Sequence, residues 1–338
     1  MSRVKRAGLW MMRAVGLFAL MRRLTGRGVR ILCYHGAWRG PDDFPGDAMF
    51  IRGETFTARL DALARLGYPV VSLDAALAGL AGTTPLPRAA VVLTIDDGWY
   101  SFYSDMLPAL RSRSLPATLY VDTGHLLSRR PVPHVMARYF ALIAGGGEPA
   151  AIAAAADRSL DLDTRLGHAR ALGARLGLDP SGYVERRVFD YMAPEDLAAA
   201  AADGLDVQLH SHHHTLGDFG AEIVIAEVAR NRAELARLLG TDPAQLRHFC
   251  YPSGAHDRSV GPILAGLDIA SATTTEAGIA YPSMDRFFLP RLLDGENLSL
   301  VEFEAELAGI GDLLRAARAA ISRRFVGARM PGRNSRPT

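Results

Sequence analysis

Five times along this chain a short apolar run ends in polar, chemistry-bearing residues. That recurring phase constrains the fold more than any other feature. The clearest cases are Val91-Val-Leu-Thr-Ile-Asp-Asp-Gly98 and Val207-Gln-Leu-His-Ser-His-His-His214. The others are His35 after the run 29–34, Tyr251-Pro-Ser-Gly254 after 246–250, and Arg291 in Phe288-Leu-Pro-Arg-Leu-Leu293. Apolar runs of this length read as buried strands, and between several of them lies helical spacing such as Phe56, Leu60, Leu63 and Leu66. Strand–helix alternation predicts an α/β fold with a largely parallel sheet or barrel and helices outside. In a parallel barrel the carboxyl ends of the strands share one face, and active sites are built there.

The spacing predicts strands over 29–34, 68–73, 90–95, 117–121, 205–209, 246–251, 268–272 and 288–293. It predicts helices over 54–66, 73–80, 99–113, 218–239 and 257–266, and one near the carboxyl terminus. Residues 125–200 break the rhythm with an Ala-rich, helix-forming stretch, read as an insertion over the barrel mouth. Cys33 and Cys250 lie in apolar runs and offer neither a disulfide framework nor a zinc-ribbon spacing; both read as small buried side chains.

The net charge of +2 conceals an asymmetry. Residues 1–30 carry eight basic groups and no acid, and residues 311–338 carry seven arginines against Asp312. Residues 31–310 must therefore carry −12. An acidic body with basic ends suggests that the ends meet something anionic. Residues 1–28 lack the uninterrupted apolar run and small-residue cleavage site of a signal peptide, and they are too short to span a bilayer. Leu9, Trp10, Met11, Val15, Leu17, Phe18 and Met21, interleaved with arginines, fit a basic amphipathic helix lying on an anionic membrane surface. Without a cleavable signal, the inner, cytoplasmic face of the membrane is the expected location. Nothing resembles a nucleic-acid recognition module. The tail after Met330 reads as disordered.

The two long motifs carry chemistry. Adjacent carboxylates such as Asp96 and Asp97 repel unless a cation or proton lies between them. Two imidazoles four residues apart, His210 and His214, can converge on one ion. A carboxylate and two imidazoles with an open position form a hydrolytic metal site. Asp96, beside a ligand carboxylate, is within reach of the proton of an activated water.

Thr94-Ile-Asp-Asp-Gly98 resembles the Thr-Phe-Asp-Asp-Gly motif of polysaccharide deacetylases (the NodB-homology, carbohydrate esterase family 4 enzymes), and His210-Ser-His-His-His214 resembles their His-(Ser/Thr)-x-x-His motif. The resemblance covers roughly residues 29–300 and implies a deformed parallel (β/α)7-type barrel. It divides the chain into the basic helix 1–28, the deacetylase domain 29–300 with its insertion, and a carboxyl-terminal helix with a basic tail, 301–338. It implies that Asp97, His210 and His214 hold a divalent metal, zinc first with cobalt or manganese as alternatives, and that Asp96 is the general base. His212 and His213 read as non-ligands. Arg291 is the candidate partner that keeps Asp96 ionised. Tyr251, Pro252 and Gly254 resemble a third motif that walls the groove, with the Tyr251 backbone N–H offered to the oxyanion.

One departure matters. The family's Leu-His-Asp segment is missing, since residues 293–303 contain no histidine. His35 is then the best-placed general acid, as in the subgroup that resembles poly-N-acetylglucosamine deacetylases. The expected substrate is an N-acetylated carbohydrate: polysaccharide, oligosaccharide or lipid-linked precursor. Alternatives are an amidohydrolase on a non-sugar amide and a non-catalytic carbohydrate-binding component of a membrane assembly. Arg129, Arg130, His134, Arg138 and Tyr139 of the insertion are further candidates for substrate contact.

Overall fold

The computed structural model describes residues 3–44, 46–315 and 317. Seven strands, all parallel, close into a barrel: β1 (Arg30–Tyr34), β2 (Val91–Ile95), β3 (Thr118–Val121), β4 (Asp206–Leu209), β5 (His248–Cys250), β6 (Ser271–Ala277) and β7 (Leu289–Leu293). They pair in chain order, and β7 returns to β1 through Leu32↔Leu292. β1 and β2 match over five residues, from Arg30↔Val91 to Tyr34↔Ile95. Both are buried along their whole length, which is why they read as continuous apolar runs rather than alternating ones. The thinnest seam is β4–β5, paired only at Leu209↔Phe249, directly before the polar ends of both strands.

Three expected elements differ. Residues 68–73 form no barrel strand. The segment makes one bridge, Val70↔Val91, before Ser72 accepts the Ala75 N–H at 3.2 Å and starts the Leu73–Leu80 helix. Pro69 contributes its carbonyl to Val91 N–H but has no N–H to extend a ladder. The sixth strand lies at 271–277 rather than 268–272, because Asp268 turns with φ 57° and the β-branched Thr273–Thr275 run carries the pairing. The helix expected over 99–113 is a π turn at Phe102–Met106 followed by Leu107–Arg111, with Pro108 at the junction of the two.

Residues 123–202 form six helices, and the segment returns to the Asp97 loop. Met192 N–H donates to the Gly98 carbonyl at 2.8 Å, and Tyr100 N–H donates to the Asp190 carbonyl at 2.9 Å. Trp38, Phe50, Tyr139, Tyr183 and Phe189 stack between the 37–50 loop and these helices, tying the segment down. Tyr139 is buried there with its hydroxyl on Asp47, so it is not the substrate contact suggested above. Arg129 and Arg130 are held in surface pairs with Glu195 and Asp163.

The basic amino-terminal segment is two helices, not one: Arg3–Ala14 and Leu17–Leu24, broken at Gly16 with φ 78°. Leu9, Met12, Leu17, Phe18 and Met21 pack on Val301, Ala305, Ala308 and Ile310 of the Leu300–Ala308 helix and the residues after it. Phe18 therefore faces the body and not an outer surface. Among the described residues, no helix is long and apolar enough to cross a membrane. The expectation of a disordered tail after Met330 concerns residues outside the described ones.

Candidate metal and hydrolytic centre

The centre is assembled where β1, β2, β4 and β5 end, with Arg291 reaching in from the middle of β7. After Ile95 the backbone leaves the barrel through Asp97 (φ 78°) and Gly98 (φ 102°). The left-handed turn at a non-glycine residue is a strained arrangement, tolerated where surrounding bonds fix it. Here Asp96 N–H donates to the Tyr34 carbonyl at 2.9 Å, and Trp99 Nε1 donates to Asp97 Oδ2 at 2.8 Å. After Leu209 a second loop turns left-handed at Ser211 (φ 63°) and His214 (φ 53°), which swings both imidazoles inward.

Asp97 Oδ1 lies 3.3 Å from His210 Nε2 and 3.2 Å from His214 Nε2. Donor atoms about 2.1 Å from one ion would stand roughly 3.0–3.4 Å apart in tetrahedral or octahedral coordination, so the spacing fits a shared cation. The tautomer of His210 makes the same point. Its Nδ1 lies 2.8 Å from the Cys250 carbonyl and must donate there. In the neutral ring Nε2 is then a bare acceptor facing an ionised carboxylate, an arrangement that asks for a cation between them. Burial alone would raise the Asp97 carboxyl; it falls well below the usual carboxylate range only with positive charge at the Nε2 side, from imidazolium rings or from a shared cation. His212 and His213 point elsewhere: His212 Nδ1 meets Thr123 Oγ1 at 2.7 Å, and His213 Nδ1 meets Glu227 Oε1 at 2.6 Å.

Asp96 sits in a second, tighter arrangement. Arg291, fully buried, donates to both its oxygens, at 2.7 Å to Oδ1 and 2.6 Å to Oδ2. The thiols of Cys33 and Cys250 lie 3.5 and 3.4 Å from Oδ2. Burial pushes the Asp96 carboxyl up, yet the charge and fork of Arg291 outweigh it and bring the pKa to about 2. His35 places a ring nitrogen within 4.8 Å of an Asp96 oxygen, and its Nδ1 is buried without a hydrogen-bond partner among the described residues.

The Tyr251 segment requires a correction. Tyr251 N–H donates to the Thr273 carbonyl at 3.1 Å, continuing the β5–β6 ladder, so it is not the free oxyanion donor inferred from the motif. Its ring is wholly buried, stacked on Phe288, rather than lining a groove. Pro252 is buried, and Gly254 adopts φ 69° where a Cβ would lie 1.8 Å from Thr275 Oγ1.

Three contributors escaped the sequence reading. Asn231, buried in the Ala221–Leu239 helix, accepts the His210 N–H at 2.9 Å and donates to the Val121 carbonyl at 3.0 Å. Its signal was a lone amide in the stripe Val224, Val228, Asn231, Leu235. Trp99 follows the Asp-Asp-Gly turn directly. His125 is locked by Asp122, whose Oδ1 lies 2.9 Å from both its N–H and its Nδ1, and its ring centre lies 6.2 Å from that of His214.

A poly-beta-1,6-N-acetyl-D-glucosamine N-deacetylase of Escherichia coli is 35% identical over 83 residues, covering 24% of this chain and 12% of that protein. The chain thus spans about an eighth of the curated relative it matches. Two solved structures share the fold at low identity. IcaB from Ammonifex degensii has a TM-score of 0.56 at 22% identity, covering 84% of this chain and 97% of that one. The Streptococcus pyogenes deacetylase PplD in complex with acetate has a TM-score of 0.56 at 18% identity, covering 80% and 94%. The polysaccharide deacetylase family model matches residues 83–272, more than half of the chain, leaving His35 and Arg291 outside the matched span. With the Asp-Asp-Gly turn and the histidine loop both inside that span and facing each other, the chain belongs to the polysaccharide deacetylase family.

Proposed function

We propose that this protein is a metal-dependent hydrolase that removes N-acetyl groups from an N-acetylated sugar, as a polysaccharide, an oligosaccharide or a lipid-linked precursor. Asp97, His210 and His214 would hold the divalent ion, zinc first and cobalt or manganese as alternatives. When bound, the ion supplies Lewis acidity and lowers the pKa of water. Asp96 is the proton acceptor beside it. Arg291 fixes both carboxylate oxygens and keeps the group ionised. A carboxylate so strongly paired holds a proton only briefly. His35, with a ring nitrogen within 4.8 Å of Asp96, is our candidate for the acid that protonates the departing amine. The observation that carries this reading is the convergence of Asp97, His210 and His214 beside an Asp96 clamped by Arg291.

The test is acetate release from poly-N-acetylglucosamine and chitooligosaccharides by metal-reconstituted protein. Release should require both metal and Asp96, and Asp96→Asn should lower it by at least about a hundredfold, the usual range for a positioned acid or base. Tight metal binding without release from any sugar would remove the deacetylase reading. We further propose that the two amino-terminal helices rest on an anionic membrane surface at its cytoplasmic face. Their supporting features are the exposed Trp10, Met11, Val15, Leu20 and Leu24 among basic residues.

A further inference from the structure

The two amino-terminal helices do more than present an apolar ridge. Between them, the turn at Leu66–Tyr68, the lead into β2 at Ala89 and the Leu300–Ala308 helix lies a cavity of about 610 Å³. Four arginines line it, Arg13, Arg22, Arg23 and Arg88, against a single acid, Glu304. Arg13 pairs with Glu304 at 3.0 Å, and Arg65 shares the same carboxylate at 2.9 Å. The other three are not neutralised by any acid among the described residues. Arg22 donates to the carbonyls of Leu66 and Gly67 and lies over the Tyr68 ring at 4.1 Å. Arg88 donates to the Arg23 carbonyl at 2.6 Å, and no partner is found for the Arg23 guanidinium among the described residues. Carbonyls orient a guanidinium without cancelling its charge, so the lining carries a net +3. A concave site with unbalanced guanidinium groups, two of them (Arg22 and Arg88) oriented by carbonyls, suits a phosphate.

The apolar ridge adjoins this cavity. The Arg13 guanidinium lies 5.1 Å from the Trp10 ring centre, and Arg22 and Arg23 sit between Leu20 and Leu24 on one helix. Met11 is 70% exposed, Val15 78% and Leu24 68%. A basic pocket flanked by exposed apolar side chains matches a lipid, whose phosphate is anionic and whose chains are apolar. Charge selects the end of the molecule as well, since residues 31–310 are acidic overall and would be repelled by the same surface. We propose that the Arg13–Arg22–Arg23–Arg88 cavity binds the phosphate of an anionic phospholipid while the ridge from Trp10 to Leu24 enters the interfacial layer. The proposal rests on the membrane-surface reading above and adds a defined headgroup site to it. Ala89 leads into β2 at the end opposite Asp96, so a chain docked this way holds its candidate centre away from the bilayer.

The test is sedimentation of the full chain with phosphatidylcholine vesicles, with and without phosphatidylglycerol. Binding should require phosphatidylglycerol. Arg23→Ala/Arg88→Ala should weaken it by on the order of tenfold or more, since each basic group near an anionic surface contributes roughly fivefold. Arg111→Ala/Arg237→Ala removes equal charge elsewhere and should bind as the wild type does, with unfolding midpoints checking that all variants are folded. If Met11→Asp/Leu20→Asp abolishes binding while the Arg23/Arg88 variant retains it, the membrane contact stands and the headgroup site is refuted. Absence of phosphatidylglycerol-dependent binding by the wild type refutes both. Saturation by inorganic phosphate in calorimetry, without vesicle binding, would mark a soluble-anion site and overturn the lipid assignment.

Discussion

Removing Arg291 tests whether the centre is organised as the structure shows. The Asp96–Arg291 pair is buried on both sides, bidentate, and flanked by two thiols. The fall of the Asp96 pKa from 3.8 to about 2 corresponds to roughly 2–3 kcal/mol of favourable interaction, at about 1.4 kcal/mol per tenfold in acidity. In Arg291→Met the largest opposing influence is lost and burial is countered only by the weaker charges of His210 and His35, so the pKa of the carboxyl rises. An uncompensated buried charge of this kind costs about 3–5 kcal/mol. The sign with pH follows. In the wild type, Asp96 has a depressed folded-state pKa, so its contribution is present above about pH 4 and lost as pH falls towards 2. In the variant, Asp96 destabilises at pH 7 and recovers as it protonates on acidification. The gap between the two proteins is therefore widest near neutrality and narrows towards pH 4. Urea unfolding of chelator-treated protein at several pH values measures it without metal. Asp96→Asn/Arg291→Met should be more stable than Arg291→Met alone, because the stranded charge is gone. A gap that stays constant with pH, or a double variant no more stable than the single one, would refute the reasoning.

Two further substitutions probe the loops around the centre. Asn231→Leu removes the acceptor for His210 N–H and the donor to the Val121 carbonyl. It should weaken metal affinity by about 10–100-fold in a chelator competition, as loss of an orienting outer partner does. Gly254→Ala would place a Cβ 1.8 Å from Thr275 Oγ1 at φ 69°, and the backbone must shift. Its unfolding midpoint should fall by an amount equivalent to at least about 1–3 kcal/mol, the range for a residue forced into a sparsely populated conformation.

The parts legible in sequence are those where one local pattern carries both fold and chemistry. Thr94-Ile-Asp-Asp-Gly98 marks a strand by its apolar run and a turn by its glycine, so the ends of β2 and β4 and the residues that meet there could be read from the chain alone. What stayed hidden depends on hydrogen bonds that a linear pattern does not display. The Tyr251 N–H looked free because nothing in Tyr-Pro-Ser-Gly shows that β6 pairs past Cys250 and claims it. Asn231 lay within an apolar helical stripe, 21 residues from the histidine it holds. Residues 68–73 have strand composition but are stopped by Pro69 at one end and by the Ser72 cap at the other. The amino-terminal segment failed differently. Its apolar residues outnumber what one buried stripe needs, and the break at Gly16 decides which of them face the body. Phe18 turns inward while Leu20 and Leu24 of the same short helix stay out, and the break at Gly16 lets that helix and Arg3–Ala14 each present its own face to the body.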